Sequence, residues 1–393
     1  MTNQLIDHKL APACGEAGRR RFHLSLTDRI VLRAYLLFHA GVWTIVYAAG
    51  WLFADQGTPA RALPVLSRWA RWDARLFVSI AKDGYFPNGV GAKDAREAFL
   101  PGFPLVLRCV HSVIPQWNVD GLLVSFVAGG VAALALSRVV QTTLPGQEGG
   151  ERSVFFLLAS PCAVFLVAGY SESLFLSLAL PAWLAAKRGN WRLAASLACA
   201  AGAVRVSGLF LATAMVVQFA MSGRVRSQAR LLPWLALPFM PMLAYTCYLY
   251  AHTGDWMAWE HAQERGWFRG FHYPWQTWCN TWKAAFSHTQ SAPYAFMFQM
   301  ELVAVATGIL LLVVLVRQRL WPEVTYVGLS LSALGTSYWY MSVPRASLLW
   351  WPLWSLLAAW SVRRPWVKSA FAAVAVPLMA LITVTFTSGR WAG

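Results

Sequence analysis

Apolar runs of roughly 20 residues recur along the whole chain and constrain its fold more than any other feature. A transmembrane helix needs about 20 apolar residues to cross the hydrocarbon core of a bilayer. Of the 393 residues, 58% are hydrophobic and 13% are charged, whereas a soluble protein carries about 25% charged residues. Transmembrane β-strands would instead alternate in polarity over segments of about ten residues. The sequence therefore predicts an all-α polytopic membrane protein.

Eleven apolar runs are candidates for transmembrane helices. They cover residues 30–53, 119–141, 153–168, 172–187, 191–204, 206–221, 231–252, 296–316, 323–342, 346–362 and 367–387. The first run is too long for a signal-peptide core, so we expect a retained signal anchor. One helix over residues 191–221 would reach about 46 Å. We therefore expect a two-helix hairpin that turns near Arg205, with one long tilted helix as the alternative.

Short basic connectors set the predicted orientation. Cytoplasmic loops of membrane proteins are enriched in Lys and Arg. Such connectors lie at residues 187–192, 222–230, 317–319 and 363–368. With eleven spans, all four connectors lie on the cytoplasmic side, provided that the segment 99–116 is re-entrant or interfacial and does not cross the membrane. We accordingly expect a cytoplasmic segment at 1–29 and one transmembrane domain at 30–393, with outer loops at 54–118 and 253–295.

The positive charge and the cysteines point to no further class of protein. The net charge of +16 is accounted for in large part by basic cytoplasmic loops, and no nucleic-acid-binding motif accompanies it. We expect membrane lipids and no nucleic acid as partners. The six cysteines show no C-x-x-C pairing, so neither a zinc site nor a disulfide framework is predicted.

The stretch SRWARWDARLFVSIAKDGY (67–85) sets Asp73 among four cations. On a continuous helix of about 3.6 residues per turn, these charges separate onto two faces. The cations Arg68, Arg71, Arg75 and Lys82 form one face, and Asp73 lies on the other with Trp69, Trp72, Leu76 and Ile80. We predict an interfacial amphipathic helix that carries Asp73 into the bundle. The alternative is that Asp73 is a structural partner of Arg75 or of a membrane arginine such as Arg205.

Six blocks resemble the GPI mannosyltransferase 2 (phosphatidylinositol-glycan class V) family and its bacterial homologues. They come in the family's order: RWDARLFVSIAKDGY (71–85), EAFLPGFPLVLR (97–108), ASPCAVFLVAGYSESLFLSLAL (159–180), AGAVRVSGLFLA (201–212), HTGDWMAWEHAQERGWFR (252–269) and SVPRASLLWWPLW (342–354). The chain departs from the family at Ser160, where Asn is frequent, and at Ala346, where an aromatic residue is frequent.

The resemblance implies a C-type glycosyltransferase fold with about 11 transmembrane helices and interfacial helices in the first outer loop. It implies transfer of mannose from a polyprenyl-phosphate mannose donor to a lipid-linked or glycan acceptor, outside the cytoplasm. The membrane would be a bacterial plasma membrane, or the endoplasmic reticulum membrane in a eukaryote. The family places an acidic residue in its first outer loop as the base, and Asp73 occupies that place.

The implied chemistry is an inverting glycosyl transfer, which needs one base near the acceptor hydroxyl and cations at the leaving phosphate. Asp73 is the expected base, and Arg205 and Arg345 are the expected phosphate ligands. Either arginine could instead pair with Glu172 or extend to the interface. The expected sugar or acceptor contacts are Trp72, Tyr170, Glu172, Asp255, His261, Gln263 and Trp267.

Several of these residues also have structural interpretations. Ser171 and Glu172 could cap a helix, and Tyr170 could belong to an interfacial aromatic belt. His252, Asp255 and His261 match no strong metal-ligand spacing. We therefore expect no cofactor, with a divalent metal as a lesser alternative.

Other classes of function stay open at this stage. Intramembrane arginines and acids could line the path of a transporter or flippase for a lipid-linked or anionic substrate. Ser171 in GYSES could suggest an intramembrane serine protease, although it lacks a G-x-S-x-G pattern. An inactive member acting as a scaffold is a third alternative.

Overall fold

The computed structural model describes residues 24–52, 65–144, 146–223 and 228–392, and the regular elements in this part of the chain are helices. The α-helices are α1 Leu26–Leu52, α2 Asp73–Asp83, α3 Gly102–His111, α4 Trp117–Gln141, α5 Gln147–Leu158, α6 Ser171–Lys187, α7 Trp191–Val204, α8 Ser207–Met221, α9 Leu232–Ala236, α10 Met240–Thr253, α11 Ala258–Trp267, α12 Pro274–Phe286, α13 Ala292–Arg317, α14 Trp321–Gly335, α15 Val343–Ala346, α16 Trp351–Arg363 and α17 Trp366–Thr387. The predicted N-terminal segment 1–29 and the start of the loop 54–118 lie largely outside the described residues.

A helix is present at each of the eleven predicted apolar runs, so the all-α prediction is confirmed. Within the described ranges, five helical segments are long and apolar enough to cross a membrane. They are α1, α4, α13, α17 and the continuous stretch Ala229–Thr253 that ends with α10. The other runs form helices of 12 to 17 residues, such as α5 and α6. Length and composition thus support fewer crossings than the predicted eleven.

Small residues bring the central helices close together. Helix α6 packs between α4 and α7. The facing surfaces are almost fully buried and rich in alanine: Ala179, Ala182, Ala185 and Ala186 on α6, with Ala194, Ala195, Ala198 and Ala201 on α7. Small side chains let helix backbones approach closely, and helices in membranes commonly pack in this way. The resulting core holds the beginning of α6 in a fixed position.

The predicted hairpin over residues 191–221 is confirmed. Helix α7 ends at Val204 and α8 begins at Ser207, with extended backbone at Arg205 between them. A Cβ atom on Gly208 would collide with the backbone of Gly202, so the two helices meet without side chains between them. The turn therefore fixes the position of the Arg205 side chain.

The segment 99–116 contains only the 10-residue helix α3. Such a helix is about 15 Å long, half the thickness of the hydrocarbon core. This agrees with the prediction that the segment does not span. A Cβ atom on Gly102 would lie 2.6 Å from the carbonyl oxygen of Ala203, so α3 begins directly against the end of α7. Helix α3 is thereby docked beside the α7–α8 turn.

The predicted continuous helix over residues 67–85 is wrong. A short 3₁₀ helix ends at Arg68, and α2 begins only at Asp73. Between them, Trp72 has a φ of 47°, in the left-handed region that side-chain-bearing residues rarely adopt. The chain turns there, so residues on either side of Trp72 no longer share one helical wheel. Trp72 is 45% exposed instead of lying on the buried face.

The inward placement of Asp73 survives this correction. Asp73 is 8% exposed at the first turn of α2, where the partial positive charge of a helix N-terminus favours an acid. Before the turn, Trp69 packs against Trp43 of α1 and Phe386 of α17. The buried indole and the buried carboxylate therefore anchor the two sides of the turn.

Candidate active site

The carboxylate of Asp73 forms a buried ion pair with Arg345 of α15. Arg345 Nη1 donates to Asp73 Oδ2 over 2.8 Å, and the two residues are 9% and 8% exposed. The partner is neither Arg75 nor Arg205, the two arginines considered from the sequence. Arg75 Nε donates instead to the carbonyl oxygen of Ala70. A charge-assisted hydrogen bond of this kind fixes the direction of a carboxylate.

The position of Arg345 depends on Glu301, an acid within the apolar helix α13. The Ser342 and Val343 N–H groups donate to the two oxygens of Glu301 over 2.6 and 2.8 Å. Glu301 is completely buried, and it satisfies free backbone donors at the start of α15. Ser342 itself has a φ of 67°. Glu301 thus holds the turn that presents Arg345 to Asp73.

Glu172 connects the remaining arginines. Arg205 Nη1 donates to Glu172 Oε1 over 2.7 Å and to Ser171 Oγ over 2.8 Å. Arg345 Nε lies 3.2 Å from the same oxygen of Glu172, without hydrogen-bond geometry. The pairing of both arginines with Glu172, considered from the sequence, is therefore present. Neither Ser171 nor Glu172 caps α6, because its N-cap residue is Tyr170 and has no side-chain cap bond.

Tyr170 lies beneath this network and not in an exposed aromatic belt. It is 2% exposed. The Arg345 guanidinium carbon lies 5.4 Å from the centre of the Tyr170 ring and 5.5 Å from that of Phe165. Cations are attracted to the faces of aromatic rings at such distances. The two rings therefore help to hold Arg345 in place.

Two cavities meet at the Asp73–Arg345 pair. The first, which we call the arginine cavity, consists of two adjoining hollows of about 90 and 250 Å³, both lined by Arg205, Gln263, Arg269 and Arg345. The second, which we call the aromatic cavity, has a volume of about 680 Å³. Its walls include Trp72, Tyr170, Trp267, Phe268, Tyr294, Phe298, Trp339, Phe386 and Trp391. Asp73 and Arg345 line both cavities, so a group bound in either one can reach this ion pair.

The structure brings together most of the residues expected at the site. Asp73, Arg205 and Arg345 line the arginine cavity with Gln263 and Trp267, and Glu172 lies directly behind them. Trp72 and Tyr170 line the aromatic cavity. These residues come from the start of α2 and the turn before it, the start of α6, the turn before α8, helix α11 and helix α15.

Asp255 and His261 line neither cavity. They bind each other over 2.7 Å, and their side chains are 39% and 53% exposed. His261 and Gln263 lie on α11 only two residues apart, so their side chains point in nearly opposite directions. Gln263 and Trp267 are four residues apart and share the face that meets the cavity. The block at 252–269 had suggested residues on both faces of α11 as site residues, and only one face meets the cavity.

Asp255 has a local structural role instead. Its Oδ1 accepts the Met257 N–H over 2.8 Å just before α11. That bond, with the contact to His261, lowers the pKa of Asp255 below its ordinary value. His252 is separate, since its Nδ1 contacts the Tyr248 carbonyl oxygen at 2.8 Å. In the described ranges, no three His, Cys, Asp or Glu side chains converge as metal ligands would.

Sequence reasoning missed two site residues, Arg269 and Glu301. Arg269 ends the quoted block at 252–269 and lines the arginine cavity. Its position in that block was an available signal. Glu301 interrupts the apolar run 296–316, and an acid in such a run is costly unless it has partners. That isolated acid was the second available signal.

Comparisons with known proteins show similarity to mannosyltransferases. Residues 61–251 match the profile described as Mannosyltransferase (PIG-V). The chain is 31% identical over 215 residues to GPI alpha-1,6-mannosyltransferase 2 of Mus musculus, covering 49% of this chain and 42% of that protein.

Two further relatives are more distant or shorter in alignment. The Homo sapiens protein of the same name is 31% identical over 37% of this chain and 30% of its own length. GPI mannosyltransferase 2 of Yarrowia lipolytica is 26% identical over 37% of this chain and 38% of its own length. The chain thus spans less than half the length of these curated relatives. Over residues 61–251 the protein is similar to the GPI mannosyltransferase 2-like (PIG-V) family.

Proposed function

We propose that this protein is a membrane mannosyltransferase that uses a polyprenyl-phosphate mannose donor and a lipid-linked or glycan acceptor. The observation that carries the proposal is the Asp73–Arg345 pair, which lies where two cavities meet. Similarity to the PIG-V family and the names of the relatives support mannose as the sugar. A transfer reaction needs two substrates, and two cavities that share one carboxylate suit that need.

Asp73 is the proposed general base. Arg345 binds its Oδ2, whereas Oδ1 has no hydrogen-bond partner among the described residues. The acceptor hydroxyl gives its proton to Asp73 while its oxygen attacks the anomeric carbon. The bond from that carbon to the phosphate oxygen breaks, and the lipid phosphate leaves with the electron pair. The configuration at the anomeric carbon is inverted.

The cations and rings around Asp73 support this step. We propose that Arg205 and Arg345 lie near the leaving phosphate, because one guanidinium group can donate to two phosphate oxygens at once. Trp72 and Trp267 offer aromatic faces to a sugar, and Gln263 offers an amide. Glu172 keeps both arginines in place through the contacts described above. Phosphate leaves without strong protonation, so this step does not use the two carboxylates of a hydrolase.

The proposed architecture is a C-type glycosyltransferase fold with about eleven spans and the site on the non-cytoplasmic face. The basic connectors 187–192 and 363–368 support this orientation. They lie after α6 and after α16, whereas Glu172 lies at the start of α6 and Arg345 lies before α16.

Purified protein with polyprenyl-phosphate mannose labelled in the sugar tests the proposal. Label should move to a lipid or glycan acceptor, and Asp73→Asn should stop the transfer without changing expression. Full activity in that variant would contradict the assignment of the base. In proteoliposomes, donor that crosses the membrane unmodified would support a flippase instead.

A further inference from the structure

The charges that line the arginine cavity are unequally matched. Arg205 is engaged by Glu172, and Arg345 by Asp73 and Glu172. Arg269 lines the same two hollows. It has no carboxylate within ion-pair distance among the described residues. Two of the three guanidinium groups are therefore neutralised by the protein, and the third is not.

Two contacts hold the end of the Arg269 side chain. Nη1 donates to Gln263 Oε1 over 3.2 Å, and Nη2 donates to the Met341 carbonyl oxygen over 3.4 Å. Gln263 is itself fixed, because its Nε2 donates to the Ala98 carbonyl oxygen over 3.0 Å. The side chain is thus positioned before any ligand arrives, which lowers the entropic cost of binding.

One donor of this side chain is left over. Arg269 Nε is shielded from solvent and has no hydrogen-bond partner within the described ranges. A buried donor without a partner costs free energy, more so when the group is charged. Burial lowers the pKa of Arg269 to about 10, so the guanidinium is still charged at neutral pH. A fixed and charged side chain that lines a cavity is suited to an anionic ligand.

We propose that Arg269 is the residue that binds the phosphate of the lipid-phosphate donor, an inference that rests on the proposed function. A phosphate oxygen in the cavity accepts from the Arg269 guanidinium and supplies the negative charge that no carboxylate of the described residues gives it. Arg205 and Arg345 then stand beside the phosphate as already paired cations. Their carboxylates limit the charge that they can offer, whereas that of Arg269 is fully available.

This placement also assigns the two cavities. In an inverting transfer the acceptor oxygen enters opposite the leaving phosphate. With the phosphate at Arg269 in the arginine cavity, the acceptor hydroxyl approaches from the aromatic cavity. Asp73 lines both cavities, so its carboxylate lies beside the sugar where the proton is released. The bonds formed and broken are those of the proposed transfer.

A binding measurement with polyprenyl phosphate, the leaving group itself, tests this inference without any transfer. Arg269→Gln should weaken binding about tenfold to a hundredfold, as expected for loss of one charge-assisted contact. Arg269→Lys keeps the charge and should bind with intermediate affinity. Lys283→Gln, which removes an exposed cation of α12, should bind like the wild type. Polyprenol of the same length, which has no phosphate, should bind equally to all variants.

Three results would overturn the inference. One is wild-type affinity for polyprenyl phosphate in Arg269→Gln when its thermal unfolding temperature matches that of Arg269→Lys. Another is an equal loss for polyprenol, which would show that the lipid chain and not the phosphate had been affected. Equal binding of phosphatidylglycerol, lost in Arg269→Gln, would show a general phospholipid site.

Failure of the proposed function gives a different pattern. Suppose that the wild type transfers no mannose, but Arg269→Gln still loses affinity for polyprenyl phosphate. The binding site would then be supported and the proposed reaction would not. Suppose instead that mannose is transferred, and that Arg269→Gln changes neither the donor KM nor the affinity for polyprenyl phosphate. The proposed reaction would then be supported, and the assignment of the phosphate to Arg269 would be wrong. Asp73→Asn should not weaken the binding of polyprenyl phosphate in either case, because it removes a carboxylate from the cavity and leaves Arg269 unchanged.

Discussion

Asp73 and Arg345 are 272 positions apart in the sequence and meet over 2.8 Å in the folded protein. One comes from the start of α2 and the other from the short helix α15 before α16. Glu172 lies within 3.2 Å of the same arginine. A single guanidinium therefore joins the beginning, the middle and the end of the chain at the proposed site of transfer.

Replacement of Asp73 separates its chemical role from its structural one. Asp73→Asn keeps the size of the side chain and removes the proton acceptor. We expect kcat for mannose transfer to fall about 10²- to 10⁴-fold, the usual contribution of a general base. Transfer of labelled mannose measures the loss, and size-exclusion chromatography checks the fold. If the kcat of Asp73→Asn were within a factor of two of the wild-type value, a group other than Asp73 would have to accept the proton of the acceptor hydroxyl.

Removal of Arg345 should be strongly destabilising. Arg345→Gln leaves the buried carboxylates of Asp73 and Glu172 without this cation, and breaking a buried pair costs about 3–5 kcal/mol. Thermal unfolding in detergent measures the effect. Asp73→Asn combined with Arg345→Gln should be less destabilised than the sum of the single variants, by about 0.5–3 kcal/mol. Strictly additive effects would show that the ion pair contributes no coupling.

Glu301 should act on the site through the α15 turn. Glu301→Ala removes both acceptors of the Ser342 and Val343 N–H groups, and each buried unsatisfied group costs about 1–3 kcal/mol. Glu301→Gln keeps one acceptor oxygen and should be milder in thermal unfolding. In Glu301→Gln we also expect kcat to fall while the KM for the donor changes little. A change confined to the donor KM would argue against positioning of Arg345.

Asp255 and His261 define the limit of the site. The double variant Asp255→Asn, His261→Gln should retain more than half of the wild-type transfer, since neither residue lines a cavity. Loss of transfer comparable to that of Asp73→Asn would place them within the machinery. Gln263→Leu on the opposite face of α11 is the matched comparison and should impair transfer.

The same residues predict a dependence of stability on pH. The folded pKa of Asp255 is lowered, so its hydrogen bond with the Met257 N–H contributes stability above the ordinary pKa of an aspartate. That contribution is lost as the pH falls through the lowered value. Thermal unfolding between neutral and acidic pH should show a smaller acid-induced loss in Asp255→Asn than in the wild type. If the unfolding temperature of Asp255→Asn depended on pH in the same way as that of the wild type does, the hydrogen bond of Asp255 with Met257 would not be coupled to unfolding.

The α7–α8 hairpin should not tolerate a side chain at its contact point. Gly208→Val places a branched side chain against the backbone of Gly202. Because overpacking typically costs about 1–3 kcal/mol, we expect a lower unfolding temperature and weaker binding of polyprenyl phosphate near Arg205. Gly41→Val, at a glycine of α1 with open space around it, is the control and should unfold like the wild type.

Local patterns predicted the helices well because hydrophobicity and length are local properties. The break near Arg205 was predicted because one helix over that run would be too long. The turn at Trp72 was not, since periodicity carries no sign of a positive φ at a residue other than glycine. The helical-wheel projection of residues 67–85 therefore wrongly placed Trp72 on the buried face, whereas Asp73 was correctly predicted to face inward.

The partners within the site were harder to predict than its members. Arg205 and Glu172 lie 33 positions apart, on neighbouring helices, and their pairing was considered from the sequence. The contact of Asp73 with Arg345 depends on how distant helices pack, and no local pattern encodes it. Glu301 and Arg269 were missed because neither forms an ion pair within the described part of the chain: Glu301 accepts from backbone N–H groups, and Arg269 donates to an amide side chain and a backbone carbonyl. Such roles emerge only once the chain is folded.

The network around Arg345 also has a consequence for biogenesis. Ribosomes release the chain from its N-terminus, so Asp73, Glu172 and Arg205 reach the membrane long before Arg345. During that interval Arg205 can pair with Glu172, but Asp73 has no cation of its own. We expect the nascent bundle to stay electrostatically incomplete, and open to quality-control proteolysis, until α13 delivers Glu301 and α15 follows. Completion of the site would thus mark the last stage of assembly.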